Sequence, residues 1–423
     1  MGVGWILLIA MVVLLILQVP VGIAIGFSTF IAVLYHGGLQ DIFVAQSLVQ
    51  GVNSFPIMAI PLFILAGELM GAGGISKRIL EVANIFFGHI TGGLAIVTVV
   101  VTMFFATVSG SGPATVAAVG SMVVPTMLKH GYNKSFTLAL VAAAGTIGVI
   151  LPPSIPMVIF GVSTGASIAS MFLGGILPGL LVGLTLMVYA YAYGRKHNIR
   201  TGERQPLSKG FKAMWDAKWA LINPLIILGG IYAGIFTPTE AAAVAVFYAF
   251  ICGFFVYKEL KIEMLFETLK SSCITIGTVL IILGGATAFA RLLTLENIPN
   301  QLAAALTGVT DNRILMILLI NVFLLVIGKV LDTIPAIMIL APILLPVAME
   351  IGMHPVQFGV IMIINKAIGF LTPPLAINVF VAARVGNTTA GEVNKGIWPF
   401  IGIMFALLLI VSYVPWFTLA FVD

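Results

Sequence analysis

Oxygen-bearing side chains in two apolar stretches are the residues best suited to chemistry in this sequence. Ser109, Ser111 and Thr115 lie midway along an apolar run that covers residues 92–128. This run exceeds the roughly 20 residues that one helix needs to cross a bilayer, and the Gly and Pro residues within it weaken the helical ladder. A break at membrane depth is tolerated only where the freed oxygens line a cavity or bind something. We therefore expect a bound cation here; the alternative is a kinked packing helix whose small residues allow close approach.

Asp332 lies in a second apolar stretch and is the most informative single residue. An ionised carboxylate at membrane depth is costly unless it is paired. A sodium ion would compensate it, because hard cations favour carboxylate, hydroxyl and carbonyl oxygens, and Thr333 adds a hydroxyl. The alternative is an ion pair with Lys329, three residues away on the same helical face.

Two diproline segments provide a further set of candidate ligands. The prolines at 152–153 and 373–374 each follow an apolar helix, with Gly148 or Gly369 four residues before the first proline. Proline cannot continue a helix, so the last carbonyls of each helix stay unpaired and can complete a cation shell. The alternative is that these segments only terminate helices.

Composition indicates a membrane protein. Of the 423 residues, 60% are hydrophobic and 8% are charged, and the mean hydropathy is +1.17. Because soluble domains carry about 25% charged residues, the sequence predicts an all-α polytopic membrane protein. We attribute the net charge of +5 to loops that set topology rather than to nucleic-acid binding. The sequence shows no nucleophile elbow, H-E-x-x-H motif or Walker loop, so we expect that the protein is not an enzyme.

An internal repeat relates the two halves at a constant spacing of 221 residues. Backbone-determining residues recur in register, which shared hydrophobicity does not explain, and repeats with broken helices are typical of secondary transporters. The two repeats are inverted if each crosses the membrane an odd number of times. The matching pairs are Pro125 with Pro346, Gly131 with Gly352, Gly148 with Gly369, Pro152-Pro153 with Pro373-Pro374, Gly165 with Gly386, and Pro178 with Pro399.

The repeat divides the chain into two halves joined by a basic linker. Each half is predicted to contain a re-entrant hairpin followed by a broken helix. The first repeat covers 1–194, with its hairpin at about 53–80 and its broken helix at about 92–128. The linker, placed in the cytoplasm, covers 195–218. The second repeat covers 219–423, with its hairpin at about 272–306 and its broken helix at about 314–349.

Other ionisable residues in apolar surroundings remain open to two interpretations. Glu68, Glu240 and Lys366 could exchange protons, but we favour structural roles for them. Arg291 is expected near the tip of the second hairpin, where it could meet an anionic substrate. It could equally lie in the interface with Glu296.

With these motifs assembled, the whole chain resembles the large membrane subunit of tripartite ATP-independent periplasmic (TRAP) transporters of the DctM/SiaM type. Together the motifs are specific, although each alone is not. They are Leu65-Ala66-Gly67-Glu68-Leu69-Met70, Ser109-Gly110-Ser111-Gly112-Pro113-Ala114-Thr115, Leu151-Pro152-Pro153-Ser154-Ile155-Pro156, Thr237-Pro238-Thr239-Glu240-Ala241 and Thr372-Pro373-Pro374.

The resemblance implies a sodium-coupled importer in the bacterial inner membrane, with an elevator-type mechanism. Its implied partners are a small four-helix membrane subunit, expected as a separate chain, a periplasmic substrate-binding protein and lipid. The implied substrate is an organic acid, such as a C4-dicarboxylate, sialic acid or a sugar acid. The alternatives are a proton-coupled carrier, through Glu68 or Glu240, and a channel-like subunit without its own ion coupling.

The resemblance also implies two sodium sites, one in each half. We expect the substrate at Ser54, Arg291 and Asn378. One departure is Ala376, two residues after the second diproline, where the family often has Gly, which weakens the case for a backbone ligand there. The expected cation ligands are Ser109, Gly110, Ser111, Thr115, Gly148, Pro152, Ser154, Asp332, Thr333, Gly369, Thr372 and Pro373.

Overall fold

The described part of the chain is folded into helices and the turns that join them. The computed structural model describes residues 2–40, 42–199, 205–308, 310, 312–329 and 331–422, and the expected all-α class is confirmed. Within these ranges, seven helices are long and apolar enough to cross a membrane. The first eleven helices are α1 (Val3–Ile16), α2 (Val21–His36), α3 (Ile42–Val52), α4 (Ala59–Ala72), α5 (Ile75–Phe87), α6 (Gly93–Ser109), α7 (Gly112–Lys129), α8 (Lys134–Gly145), α9 (Ile147–Ile150), α10 (Ile155–Thr164) and α11 (Ile168–Lys196).

The remaining helices follow the predicted linker. Helix α11 extends into this linker to Lys196, α12 lies within it, and α13 begins at its last residue, Lys218. Residues 200–204 of the linker lie outside the described ranges. The later helices are α12 (Leu207–Asp216), α13 (Lys218–Tyr232), α14 (Pro238–Ile251), α15 (Ile262–Leu295), α16 (Ile298–Thr307), α17 (Arg313–Gly328), α18 (Thr333–Glu350), α19 (Pro355–Gly369), α20 (Ile377–Val385), α21 (Ala390–Tyr413) and α22 (Trp416–Leu419).

The helices form two packed groups. The outer group consists of α1–α4 and α13–α15, with the long α15 packed along α2, α3 and α4. Helix α14 lies against α4 through a face of buried alanines, because small side chains let helices approach closely. The core group consists of α6–α11 and α17–α22. Its helix α19 is buried from Val356 to Gly369, as expected for a helix that is apolar on nearly every face.

The first broken run folds back on itself as a helical hairpin. Thr98 Oγ1 on α6 donates a hydrogen bond to Met127 Sδ on α7 at 3.3 Å. In a straight helix these residues would lie about 40 Å apart at 1.5 Å per residue. The chain reverses at Gly110, whose φ of +58° ends α6, and Pro113 lies in the first turn of α7. We call this unit hairpin 1 and residues 109–112 its tip. The helix predicted to be broken at 92–128 is interrupted at this tip. A Gly-Pro break does not specify whether the chain continues or reverses, and here it reverses.

The second broken run is also a hairpin. Arg313 Nη2, at the start of α17, donates to Gly352 O, just beyond the end of α18, at 3.5 Å. We call this unit hairpin 2 and residues 328–332 its tip, of which residue 330 is not described. The helix predicted to be broken at 314–349 is therefore interrupted between α17 and α18, and the chain again reverses at the break.

The two segments predicted to form hairpins each contain a helix break, between α4 and α5 and between α15 and α16. In the 272–306 segment, α15 runs unbroken through Gly284 and Gly285 and ends at Leu295. A Cβ built on Gly285 would lie 2.9 Å from Gly22 O, so the glycine allows close packing of α15 on α2 rather than a turn. In the 53–80 segment, α5 packs mainly on α6 and α12 instead of folding back along α4.

The two hairpins enter the core group from opposite ends. Helix α21 begins beside the open end of hairpin 1, where Ser135 Oγ donates to Glu392 O at 2.8 Å. It ends beside the open end of hairpin 2, where Tyr413 Oη donates to Ile314 O at 3.0 Å. A helix of 24 residues spans about 36 Å. The tips consequently point toward each other in the interior, the arrangement that inverted repeats produce.

Candidate cation and substrate site

Both hairpin tips border one cavity of about 580 Å³ between the core group and the outer group. The core group contributes the first tip, Asp332 and Thr333, together with residues next to both diproline segments. The outer group contributes Glu68 from α4 and Thr275 from α15. Polar groups from helices that are otherwise apolar therefore line this cavity.

Three oxygen atoms cluster at the first tip. Ser109 Oγ lies 2.7 Å from Thr115 Oγ1, and Thr115 Oγ1 donates to Ser111 O at 2.7 Å. Ser109 Oγ also donates to Ser111 O, at 3.3 Å. Ser109 and Thr115 are both buried. Two hydroxyls and a carbonyl in one turn make a donor set suited to a small hard cation.

The first diproline segment packs directly on this tip. Gly110 O accepts a hydrogen bond from Ile155 N at 3.3 Å. A Cβ built on Gly148 would lie 2.6 Å from Thr115 Oγ1 and 2.7 Å from Ser111 O, so only glycine permits this approach. Pro152 has no N–H to offer to the Gly148 carbonyl, which leaves that oxygen without its helical donor. The Ser154 hydroxyl instead holds its own segment by donating to Val149 O at 2.6 Å.

The second tip is built around Asp332. This residue is the N-cap of α18, and its Oδ1 accepts a hydrogen bond from Thr333 N at 2.6 Å. Lys329, the alternative partner, is exposed, and no ion pair joins it to Asp332 in the described part of the chain. Asp332 therefore borders the cavity without the ion pair that the sequence also allowed.

The second diproline segment repeats the close approach of the first. A Cβ built on Gly369 would lie 2.6 Å from Gly328 O, which places α19 against the second tip. The Thr372 hydroxyl donates a hydrogen bond to Ile368 O at 2.9 Å, and Pro373 follows Thr372 in the chain. Ala376 has a φ of +36°, in the left-handed region that favours glycine. This is the position where the family often has Gly.

The three predicted substrate residues are not brought together. Ser54 and Arg291 line a separate cavity of about 440 Å³. Arg291 lies near the end of α15, close to the break before α16, and its Nη1 donates to Ser47 Oγ at 3.1 Å and Gln50 Oε1 at 2.5 Å. Asn378 is fully buried next to the first tip and donates from Nδ2 to Ala142 O at 3.0 Å. Ser54 and Arg291 therefore line a different cavity from the one beside Asn378, and the role of the three residues in substrate binding stays a prediction.

Two residues for which sequence reasoning favoured structural roles lie close to the tips. Glu68 lines the main cavity and accepts a hydrogen bond from Ser271 Oγ at 3.3 Å. Lys366 is buried on α19, with its Nζ near Gly328. In the sequence, each of these residues is visible only as a single charged side chain in an apolar helix. This pattern does not reveal which groups the side chain contacts. Glu240, by contrast, is exposed and completes a capping box with Thr237 at the start of α14.

Comparison with solved structures shows the fold. The chain superposes on the crystal structure of the YdaH transporter of Alcanivorax borkumensis, described as having an unusual topology, with a TM-score of 0.61. The match covers 88% of each chain at 16% sequence identity. An identity this low shows shared architecture alone.

Comparison with known sequences shows the family. The chain is 48% identical over 402 residues to the isethionate TRAP transporter permease protein DctMQ of Oleidesulfovibrio alaskensis, covering 95% of this chain and 63% of the length of that relative. It is 38% identical over 434 residues to the C4-dicarboxylate TRAP transporter large permease protein DctM of Vibrio cholerae, covering 97% of this chain and 95% of the relative. The model of the family "Tripartite ATP-independent periplasmic transporter, DctM component" matches residues 8–417. The chain therefore belongs to the DctM component family of TRAP transporters, as its motifs predicted.

Proposed function

We propose that this chain is the large permease subunit of a TRAP transporter and couples the import of an organic acid to the inward movement of sodium. The observation that carries the proposal is the oxygen cluster of Ser109, Ser111 and Thr115 in the wall of a central cavity. Sodium binding at this cluster is the coupling step. The relatives named for isethionate and C4-dicarboxylate support a small organic anion as substrate.

The cavity suits an anion of that size. Helices α7 and α18 both begin at its wall, at Gly112 and Thr333. Helix N-termini carry partial positive charge and unpaired N–H groups, which favour a carboxylate or sulfonate. A cavity of about 580 Å³ lies within the range of known small-molecule sites. The neighbouring sodium would add positive charge beside the substrate.

Charge distribution supports an orientation in the bacterial inner membrane. Lys129 and Lys134 lie at the open end of hairpin 1. Helix α12, which packs against α5, carries Lys209 and Lys212. Cytoplasmic loops carry an excess of Lys and Arg, so this end is assigned to the cytoplasm. Hairpin 2 then opens toward the periplasm, where the substrate-binding protein would deliver the acid.

The two helix groups support an elevator-type movement. The cavity lies between them, so sliding the core group along α4 and α15 would carry the site across the membrane. The outer group exposes large apolar side chains such as Trp5, Leu225 and Phe266, which suit contact with lipid and with the small four-helix subunit. The length that DctMQ has beyond this chain is consistent with such a subunit fused to a permease.

Uptake into proteoliposomes tests the proposal. The chain is reconstituted with its small subunit and binding protein, and uptake of radiolabelled isethionate and succinate is followed under imposed ion gradients. We expect saturable accumulation driven by an inward sodium gradient. Accumulation driven by a pH gradient without sodium would favour proton coupling instead, and equilibration without accumulation would favour a channel-like subunit.

A further inference from the structure

Lys366 is a charged side chain enclosed in the core group. It is 2% exposed, and its Nζ has no hydrogen-bond partner among the residues that the structure describes. The Nζ would lie 3.6 Å from a Cβ built on Gly328, which places the ammonium beside the second tip. An isolated ammonium in such a place is unfavourable, and a neighbouring negative charge would stabilise it.

Asp332 supplies that negative charge. Its carboxylate belongs to the same tip, four residues after Gly328, and no direct ion pair within 4.0 Å joins it to Lys366 among the described residues. The carboxylate already accepts the Thr333 N–H at the start of α18. A monovalent ammonium therefore lies beside the tip at which a monovalent metal ion was expected to balance the acid.

The first half has no such group. At the repeat spacing, Gly145 occupies the place of Lys366. A Cβ built on Gly145 would lie 3.2 Å from Gly112 O, so α8 packs tightly on α7 there. The hydroxyls and the carbonyl of the first tip carry no resident charge, so a positive charge bound there must come from an external cation.

We propose that the Lys366 ammonium is the resident counterion of Asp332, so that exchangeable sodium binds only at the first tip. One positive charge balances the carboxylate, and a second would repel the first in a medium of low dielectric constant. This inference rests on the proposed sodium coupling and deepens it, because it replaces the expected pair of sodium sites by one sodium site and one tethered charge.

Equilibrium binding of radioactive sodium to the purified complex with the small subunit tests the inference. We expect one sodium ion per wild-type chain and two for Lys366→Met, because removal of the ammonium opens Asp332 to sodium. The added ion should disappear in Lys366→Met combined with Asp332→Asn. Lys329→Met is the matched control: it removes an exposed lysine from the same tip and should leave one ion.

The possible outcomes separate the two proposals. Two sodium ions on the wild-type chain, or one on Lys366→Met, would overturn the role of Lys366 while leaving sodium coupling in place. No sodium on any variant would instead overturn the proposed coupling. If Lys366→Met does not fold, as judged by thermal unfolding, the wild-type stoichiometry alone decides.

Discussion

The two hairpin tips share a backbone design and differ in chemistry. In each half, a glycine four residues before a diproline lets a broken helix approach a tip carbonyl, Ser111 O in one case and Gly328 O in the other. The first tip then presents hydroxyls, whereas the second presents Asp332 with Lys366 behind it. The comparison indicates that the repeat preserves the geometry that breaks helices, while the groups placed at the breaks have diverged.

The largest effect on stability is expected when one of the two charges at the second tip is removed. Asp332→Asn leaves the Lys366 ammonium without its counterion, and removing one partner of a buried charge pair costs about 3–5 kcal/mol. Adding Lys366→Met should recover most of that loss, because neither charge then remains. Thermal unfolding of the purified complex measures both variants. A double variant no more stable than Asp332→Asn would show that the two charges are not coupled.

Closing the space at the first tip should have the next largest effect. Gly148→Ala places a methyl group against Thr115 Oγ1 and Ser111 O, and overpacking of this kind costs about 1–3 kcal/mol. Sodium affinity should fall with stability, since the oxygens must move apart. Gly402→Ala on α21 is the control, because a Cβ there meets nothing within 4 Å. Equal effects of the two changes would contradict the tight packing of α9 on the tip.

Ala376 sharpens the comparison because its counterpart at the repeat spacing is Ile155, in the first turn of α10. Ala376→Gly should relieve the left-handed backbone and stabilise the protein by about 0.5–1 kcal/mol. Ile155→Gly should destabilise it, because a buried side chain is lost without any backbone gain. Unfolding temperatures of the two variants check the opposite signs.

The smallest effect is expected at Glu68. Its carboxylate borders the cavity but lies outside the oxygen cluster of the first tip, so Glu68→Gln should leave sodium-driven uptake nearly unchanged. The glutamine keeps an oxygen that can accept the Ser271 hydroxyl. A loss of uptake that depends on pH would instead support proton coupling through this residue.

The sequence predicted where the helices break but not how the chain continues after each break. Glycine and proline at 109–113 and 152–153 mark the ends of helices through local backbone chemistry, and the structure places ends there. Whether the chain then reverses depends on packing between distant elements, such as the contact of Thr98 with Met127. The same limit applies to α15, where glycines that suggested a hairpin allow close packing instead.

The residues of the candidate site were predicted from the sequence only in part. Ser109, Ser111 and Thr115 were found because hydroxyls are conspicuous in an apolar run, and the structure clusters their oxygens. Their role as sodium ligands stays a prediction. Arg291 was selected for its charge, and its position on α15 places it in a different cavity from the first tip, so its role in substrate binding stays a prediction. The side chains that surround a group decide its role, and for Arg291 and Glu68 the hydrogen-bond partners come from the other half of the chain.

The most direct test of the account is the sodium dependence of uptake by Ser109→Ala in proteoliposomes that contain the complete transporter. Loss of one hydroxyl ligand should raise the sodium concentration for half-maximal uptake by about tenfold, which corresponds to about 1.4 kcal/mol. Ser121→Ala removes an exposed hydroxyl from the same hairpin and should leave that concentration unchanged. An unaltered sodium dependence in Ser109→Ala, with uptake intact, would contradict the assignment of the first tip as the coupling site.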